Sequence, residues 1–186
     1  MTTTLRNPAP YDQVRHLIRD GDLLLYRRWC GTCAAKAAWW DTDLFCLEVR
    51  EFHGGRATAL ERMVRQYPGR IDVYEVNPDN RWPEYDRAGA VRFMLRLCGC
   101  SYGFWGLVSA ALRHLPLVRR FVPPDPVDQA FQRRPPPGSQ ACAMADRAGG
   151  KVDPAPQLAD RLTEPDDLAR SPFYRYRFTL IAGEEP

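Results

Sequence analysis

Six prolines fall between Val122 and Gly138, at positions 123, 124, 126, 135, 136 and 137. Each fixes φ and removes a backbone donor, so neither a helix nor an inner strand can run through the stretch. It reads as a stiff surface excursion at about 122–138. The remaining segments must supply the core. A chain of 186 residues is sized for one domain, 1–186, large enough to bury such a core. Hydrophobic residues make up 45% and charged residues 26%, which excludes a disordered or fibrous chain. A net charge of +3 is too balanced to call for nucleic acid as a partner.

Ahead of the excursion, Tyr11 to Asp20 has helical spacing in Val14, Leu17 and Ile18, and Leu23-Leu24-Leu25-Tyr26 is a short buried strand. Ala34 to Trp40 fits a helix by its alanines and a strand by its flanking turns. Leu44 to Val49 is a second apolar strand, Gly54-Gly55 a breaker, and Leu60 to Tyr67 one or two helical turns. Ile71 to Val76 alternates with period two. A strong helix starts at Glu84, with Ala88, Val91, Met94 and Leu95 on one stripe, and a second covers Phe104 to His114. Beyond the excursion come a helix over Ser139 to Arg147 closed by Gly149-Gly150, a cap and first turn at Thr163 to Leu168, and an alternating strand over Phe173 to Ile181. Strands and helices intermix without βαβ regularity, so the class is α+β.

Met1 to Pro10 lacks the parts of a signal peptide, so a cytoplasmic location is expected. The longest uncharged run, Leu97 to Leu112, is shorter than a membrane span needs, so no span is expected.

Six cysteines are too sparse for a disulfide scaffold. Trp29-Cys30-Gly31-Thr32-Cys33 resembles a thioredoxin active site, in which a lowered thiolate pKa drives disulfide exchange. Cys30 and Cys33 could also join Cys98 and Cys100 as zinc ligands, although small core thiols explain the second pair as well. Neither His16, His53 nor His114 sits on a buried strand, which weighs against a Cys-His or Ser-His engine.

The order of several segments resembles the permuted papain-like hydrolases of the NlpC type, in their YiiX/YebB-like branch. The matching stretches are Gly21 to Tyr26, Ala37 to Trp40, Leu47 to Arg50, Gly69 to Tyr74, the Ser139 to Gly150 helix, and Glu164 to Ser171. The resemblance implies a permuted papain-like fold, a small antiparallel sheet packed against helices. It also implies a site made of a strand histidine, a polar residue on the next strand and a cysteine leading a helix. A helix amino terminus and an imidazole would there make a thiolate, with backbone N–H groups holding the oxyanion.

This sequence departs from that pattern at both reactive positions. The histidine position falls on Cys33 and the orienting position on Glu48, while the nucleophile position falls on Gly138, followed by Ser139. Cys142 lies one turn deeper in the same helix, as a core residue. Trp39, Trp40, Gly138 and Cys142 are the expected pocket-lining residues. Because Trp39 and Trp40 are adjacent, one faces the core and the other the cleft or solvent.

Three functions are open on these residues. One is a degenerate hydrolase, a pseudoenzyme that binds a small-molecule, peptide or protein ligand in the former cleft. In the second, an active acyl hydrolase of amidase, peptidase or thioesterase type uses Cys33 as thiolate, Glu48 as base or orienter, and the Ser139 N–H for the oxyanion. The third is a thiol-disulfide oxidoreductase using Cys30 and Cys33. None of these readings calls for a metal or other cofactor.

Overall fold

The computed structural model describes residues 7–28, 31–50, 54–79, 82–99 and 138–182, the Arg161 side chain excepted. The apolar runs form a seven-stranded sheet: β1 (Pro8–Pro10), β2 (Leu23–Arg28), β3 (Gly31–Trp40), β4 (Asp43–Arg50), β5 (Gly54–Ala59), β6 (Arg70–Val76) and β7 (Tyr174–Ile181). Their order is β1-β7-β6-β2-β3-β4-β5, antiparallel throughout except for the parallel β1–β7 edge pair. The class is therefore α+β.

The sheet is larger than the small one expected, and it is covered on both faces. Leu23, Leu25, Ala34, Ala38, Leu47 and Val49 point to one face. There they meet α3 (Arg87–Leu97), α4 (Gly138–Met144) and α5 (Pro165–Arg170). Leu24, Tyr26, Ala35, Ala37, Leu44, Cys46, Ile71, Val73 and Phe178 point to the other, against α1 (Tyr11–Val14) and α2 (Leu60–Gln66). Burial on both sides explains why β2 and β3 read as continuous apolar or alanine runs rather than alternating ones. On the first face, small alanines at 34 and 38 let α3, α4 and α5 lie close on β3.

Several boundaries differ from the sequence expectation for definable reasons. The helix expected over Tyr11 to Asp20 is only α1 followed by a 3₁₀ turn, Arg15–Leu17. The helix expected from Glu84 begins at Arg87, because the Asp86 carboxylate accepts the Gly89 N–H at 2.7 Å and caps it there. The Gly54-Gly55 pair opens β5 instead of breaking the chain. A Cβ on Gly55 would lie 1.9 Å from the Leu97 carbonyl oxygen, so the end of α3 packs directly on this strand's backbone. The start of α5 is as expected: Pro165 stands in its first turn, and Glu164 and Asp167 form a reciprocal capping box.

Past Met144, α4 widens into one π-helical turn, Ala145–Gly149. That turn crosses α3 through Gly89 and Gly149, where a Cβ on either residue would fall within 2.5 Å of the other's carbonyl oxygen. The expected Phe104 to His114 helix and the proline-rich excursion up to Pro137 lie outside the described residues. Among the described residues no helix is long and apolar enough to cross a membrane.

Candidate functional site

The ladder between β3 and β4 runs from Trp40↔Asp43 to Ala35↔Glu48. Gly138, the first residue of α4, is seated just past its end. A Cβ on Gly138 would lie 2.6 Å from the Ala34 carbonyl oxygen, 3.2 Å from Cys33 Sγ and 3.3 Å from the Val49 carbonyl oxygen. Two backbone carbonyls and one thiol therefore close around the place where a side chain would start. Glycine is the residue that fits, and the chain brings Gly138 and Cys33 together although they stand 105 positions apart.

Glu48 sits two positions along from Cys33 on the same face of the sheet, by its pairing with Ala35. Its carboxylate is buried, and both oxygens are taken: Oε2 accepts from Arg50 Nε at 2.7 Å and Oε1 from Arg56 Nε at 2.7 Å. Arg50 also lies over the rings of Tyr26 and Tyr67, 5.7 and 6.0 Å from their centroids. Glu48 is thus the centre of a clamp joining β4 to the edge strand β5. Tyr26 beneath it is fully buried, and burial raises its hydroxyl pKa well above the usual tyrosine value. Among the described residues that hydroxyl has no oxygen or nitrogen partner, and the Cys46 thiol is its polar neighbour.

Ser139 turns away from this centre. Its Oγ donates to the Thr163 carbonyl at 2.8 Å in a buried contact that ties α4 to the loop before α5. Cys142 is fully buried in the core between α4 and β3. Burial pushes its thiol pKa up, with Lys36 pulling it the other way. Trp39 and Trp40 lie at the opposite end of β3, ~20 Å along the strand from Cys33. Trp39 is tied to the turn before β2 through its indole N–H to the Ile18 carbonyl, 2.8 Å, and Trp40 points into solvent, 72% exposed. The structure therefore brings Cys33, Glu48 and Gly138 to one end of the sheet, with Ser139 and Cys142 behind them, and puts both tryptophans elsewhere. Cys30 lies outside the described residues, as does Cys100. Among the described residues no three metal-ligating side chains converge.

Sequence reasoning missed a buried polar network on the α4 side of the sheet. Lys36, fully buried in the middle of β3, reaches Asp146 of the π-helical turn at 2.6 Å and the Gly21 carbonyl at 3.1 Å. It also donates to the Tyr174 hydroxyl, which itself donates to Asp146 Oδ2. The Tyr85 hydroxyl donates to Asp146 Oδ1 at 2.7 Å. Burial raises the Asp146 pKa, with the Lys36 charge and the hydrogen bonds from Lys36, Tyr174 and Tyr85 drawing it back. The signal in the sequence was a lysine, one of only two, set inside the alanine run Ala34-Ala35-Lys36-Ala37-Ala38.

No protein-family model matches the chain, and no curated protein matches it.

Proposed function

We propose that this chain is a degenerate permuted papain-like domain that binds a ligand or partner where such hydrolases carry their catalytic residues, without turning it over. One observation carries the reading: at the nucleophile position, Gly138, the Ala34 carbonyl lies 2.6 Å from where even a Cβ would be. The surrounding groups agree with it. Glu48, at the orienting position, has both oxygens committed to Arg50 and Arg56, and the Ser139 hydroxyl is committed to the Thr163 carbonyl. Among the described residues no imidazole stands beside the Cys33 thiol, and the carboxylate on the next strand is fully engaged, a combination poorly equipped for acyl transfer.

The test is alkylation of the folded protein with iodoacetamide at about pH 6, where ordinary thiols are mostly protonated. Cys33 is expected to label no faster than a cysteine in a control peptide, and hydrolysis of p-nitrophenyl esters to be the same for the wild type and Cys33→Ala. Fast, selective labelling of Cys33, or ester turnover abolished by Cys33→Ala, would overturn the proposal in favour of an active thiol hydrolase.

A further inference from the structure

A concavity formed across β2, β6 and β7 has a chemical character different from that of the Gly138 end. It is a half-open cavity of about 240 Å³ lined by Arg27 of β2, Arg70 and Asp72 at the start of β6, and Tyr74 and Tyr176. A β-bulge between Val73 and Tyr74 shifts the β6–β7 register here, so that Tyr74 faces Tyr176 while Thr179 still faces Asp72. The two rings meet edge to face, with centroids 5.5 Å apart, and form one apolar wall.

The polar lining is rich in donors. Asp72 is the only carboxylate in it, and both of its oxygens are spent: Oδ1 accepts from Thr179 Oγ1 at 2.6 Å and Oδ2 from Arg27 Nε at 2.8 Å. Arg27 is held further by Asp166 Oδ1 at 2.9 Å, and it donates a long 3.4 Å bond to the Tyr74 hydroxyl. Asp166 is outside the lining and more than half exposed, so water screens its charge. Arg70 has a single charged neighbour among the described residues, Asp72, at 3.6 Å from its Nε. No described residue accepts from its terminal Nη groups, and the proton of the Tyr74 hydroxyl likewise has no described acceptor. Two guanidiniums thus stand against one neutralised carboxylate, with four Arg70 N–H donors in a planar fork left over.

We propose that this cavity binds an organic oxyanion, a carboxylate or phosphate group carried on an apolar or aromatic body. The oxyanion would lie across the Arg70 fork and the Tyr74 hydroxyl, since a planar guanidinium matches such groups with paired hydrogen bonds. The body would lie on the Tyr74–Tyr176 wall. Asp72 acts as a positioning residue: it aims both arginines and, with its acceptors filled, does not compete for the ligand. The inference is independent of the proposal for the Gly138 end, because no residue is shared between them.

Titration calorimetry with benzoate and with phenyl phosphate separates the two sources of the oxyanion, and inorganic phosphate tests the need for an apolar body. Saturable binding of either organic ligand is expected, weakened at least ~10-fold by Arg70→Gln, as loss of a charge-assisted hydrogen bond implies. Arg70→Lys, which keeps the charge and loses the fork, should fall between the two. Arg70 is a third exposed and makes one long contact, so the unfolding midpoint of both variants should stay near that of the wild type. Absence of saturable binding by both organic ligands up to about 10 mM, weaker than the millimolar range in which a single ion contact registers, would overturn the proposal. So would affinity unchanged by Arg70→Gln. Binding abolished by alkylation of Cys33 would also overturn it, by moving the ligand to the Gly138 end of the sheet.

Discussion

Replacing Lys36 with methionine removes one charge and keeps most of the side-chain volume, so its effect isolates the electrostatics of the buried network. In the wild type the ammonium and the Asp146 carboxylate are 2.6 Å apart with neither exposed to solvent. At an effective dielectric near 20, two unit charges at that distance attract by about 6 kcal/mol, against which stands the desolvation of both groups. The net value of the pair is therefore small, but the cost of breaking it is not. Lys36→Met leaves a buried carboxylate supported only by the hydroxyls of Tyr85 and Tyr174, and the expected loss is about 3–5 kcal/mol. Asp146→Asn should cost a similar amount, since the ammonium then keeps only Gly21 and Tyr174 as acceptors. The double variant should lose far less than the sum of the two, because no buried charge remains uncompensated.

Urea unfolding followed by circular dichroism measures all three differences, provided the slope with denaturant is shared. The pH dependence carries the sign. Burial raises the Asp146 pKa, and removal of Lys36 takes away the main influence lowering it. The folded variant therefore binds a proton more readily than its unfolded chain does, so its stability rises as pH falls through the folded pKa. The deficit of Lys36→Met should be largest at neutral pH and shrink toward pH 4. A loss below about 1 kcal/mol, or single-variant losses that simply add, would refute the reasoning.

Three further outcomes follow from other parts of the molecule. Gly138→Ala would ordinarily gain about 0.5–1 kcal/mol in a helix. Here the Cβ would meet the Ala34 carbonyl at 2.6 Å, so thermal unfolding should show a net loss of about 1–3 kcal/mol, as for an overpacked core. Tyr26→Phe deletes a buried hydroxyl lacking an oxygen or nitrogen partner and keeps the ring under Arg50, so the variant should be as stable as the wild type or about 1 kcal/mol more so. A loss beyond that size in urea unfolding would mean the Cys46 thiol is a real partner. Finally, burial raises the pKa values of Tyr26, Tyr85 and Tyr174 above that of an unfolded tyrosine. The unfolded chain gives up these protons first, so stability is fully present below pH ~10 and falls above it by about 1.4 kcal/mol per pH unit for each tyrosine. The chain has eight tyrosines, so the last part of the tyrosinate absorbance, that of these three, should appear together with loss of the circular dichroism signal, and ionisation of all eight with the fold intact would contradict it.

The sequence was most legible where one pattern had one structural meaning. Leu23 to Tyr26, Leu44 to Val49 and Ile71 to Val76 all lie in strands, and the cap and first turn read at Thr163 to Leu168 coincide with the start of α5. It was least legible where alanine and glycine carried the signal. The alanines of β3 favour a helix by propensity, yet they lie in a strand buried on both faces, with three helices packed on one of them. Gly54 and Gly55 resemble a break because the reason for them, the end of α3 pressing on β5, is 42 residues further along the chain for Leu97 against Gly55.

The candidate site divides in the same way. Gly138 and Cys33, both candidate site positions, do lie side by side in the structure. The Trp39-Trp40 pair looked like pocket lining because adjacency says nothing about position along a ten-residue strand. Lys36 escaped notice because its partner, Asp146, is on a π-helical turn that no local pattern announces.

The strand order has a consequence for how the molecule is made. β7 lies between β1 and β6, so the first strand of the chain has no partner until the last strand has arrived. The Lys36–Asp146 pair spans 110 positions, and Lys36 to Tyr174 spans 138. A nascent chain that has emerged only as far as β6 therefore holds a sheet whose β6 edge is still unpaired and an ammonium group with no counter-charge at its centre. Folding of this kind, dominated by distant pairings, is slow for its size, and its critical step belongs after synthesis of residue 181. Until then, the open side of β6 is the surface most prone to pair with another chain.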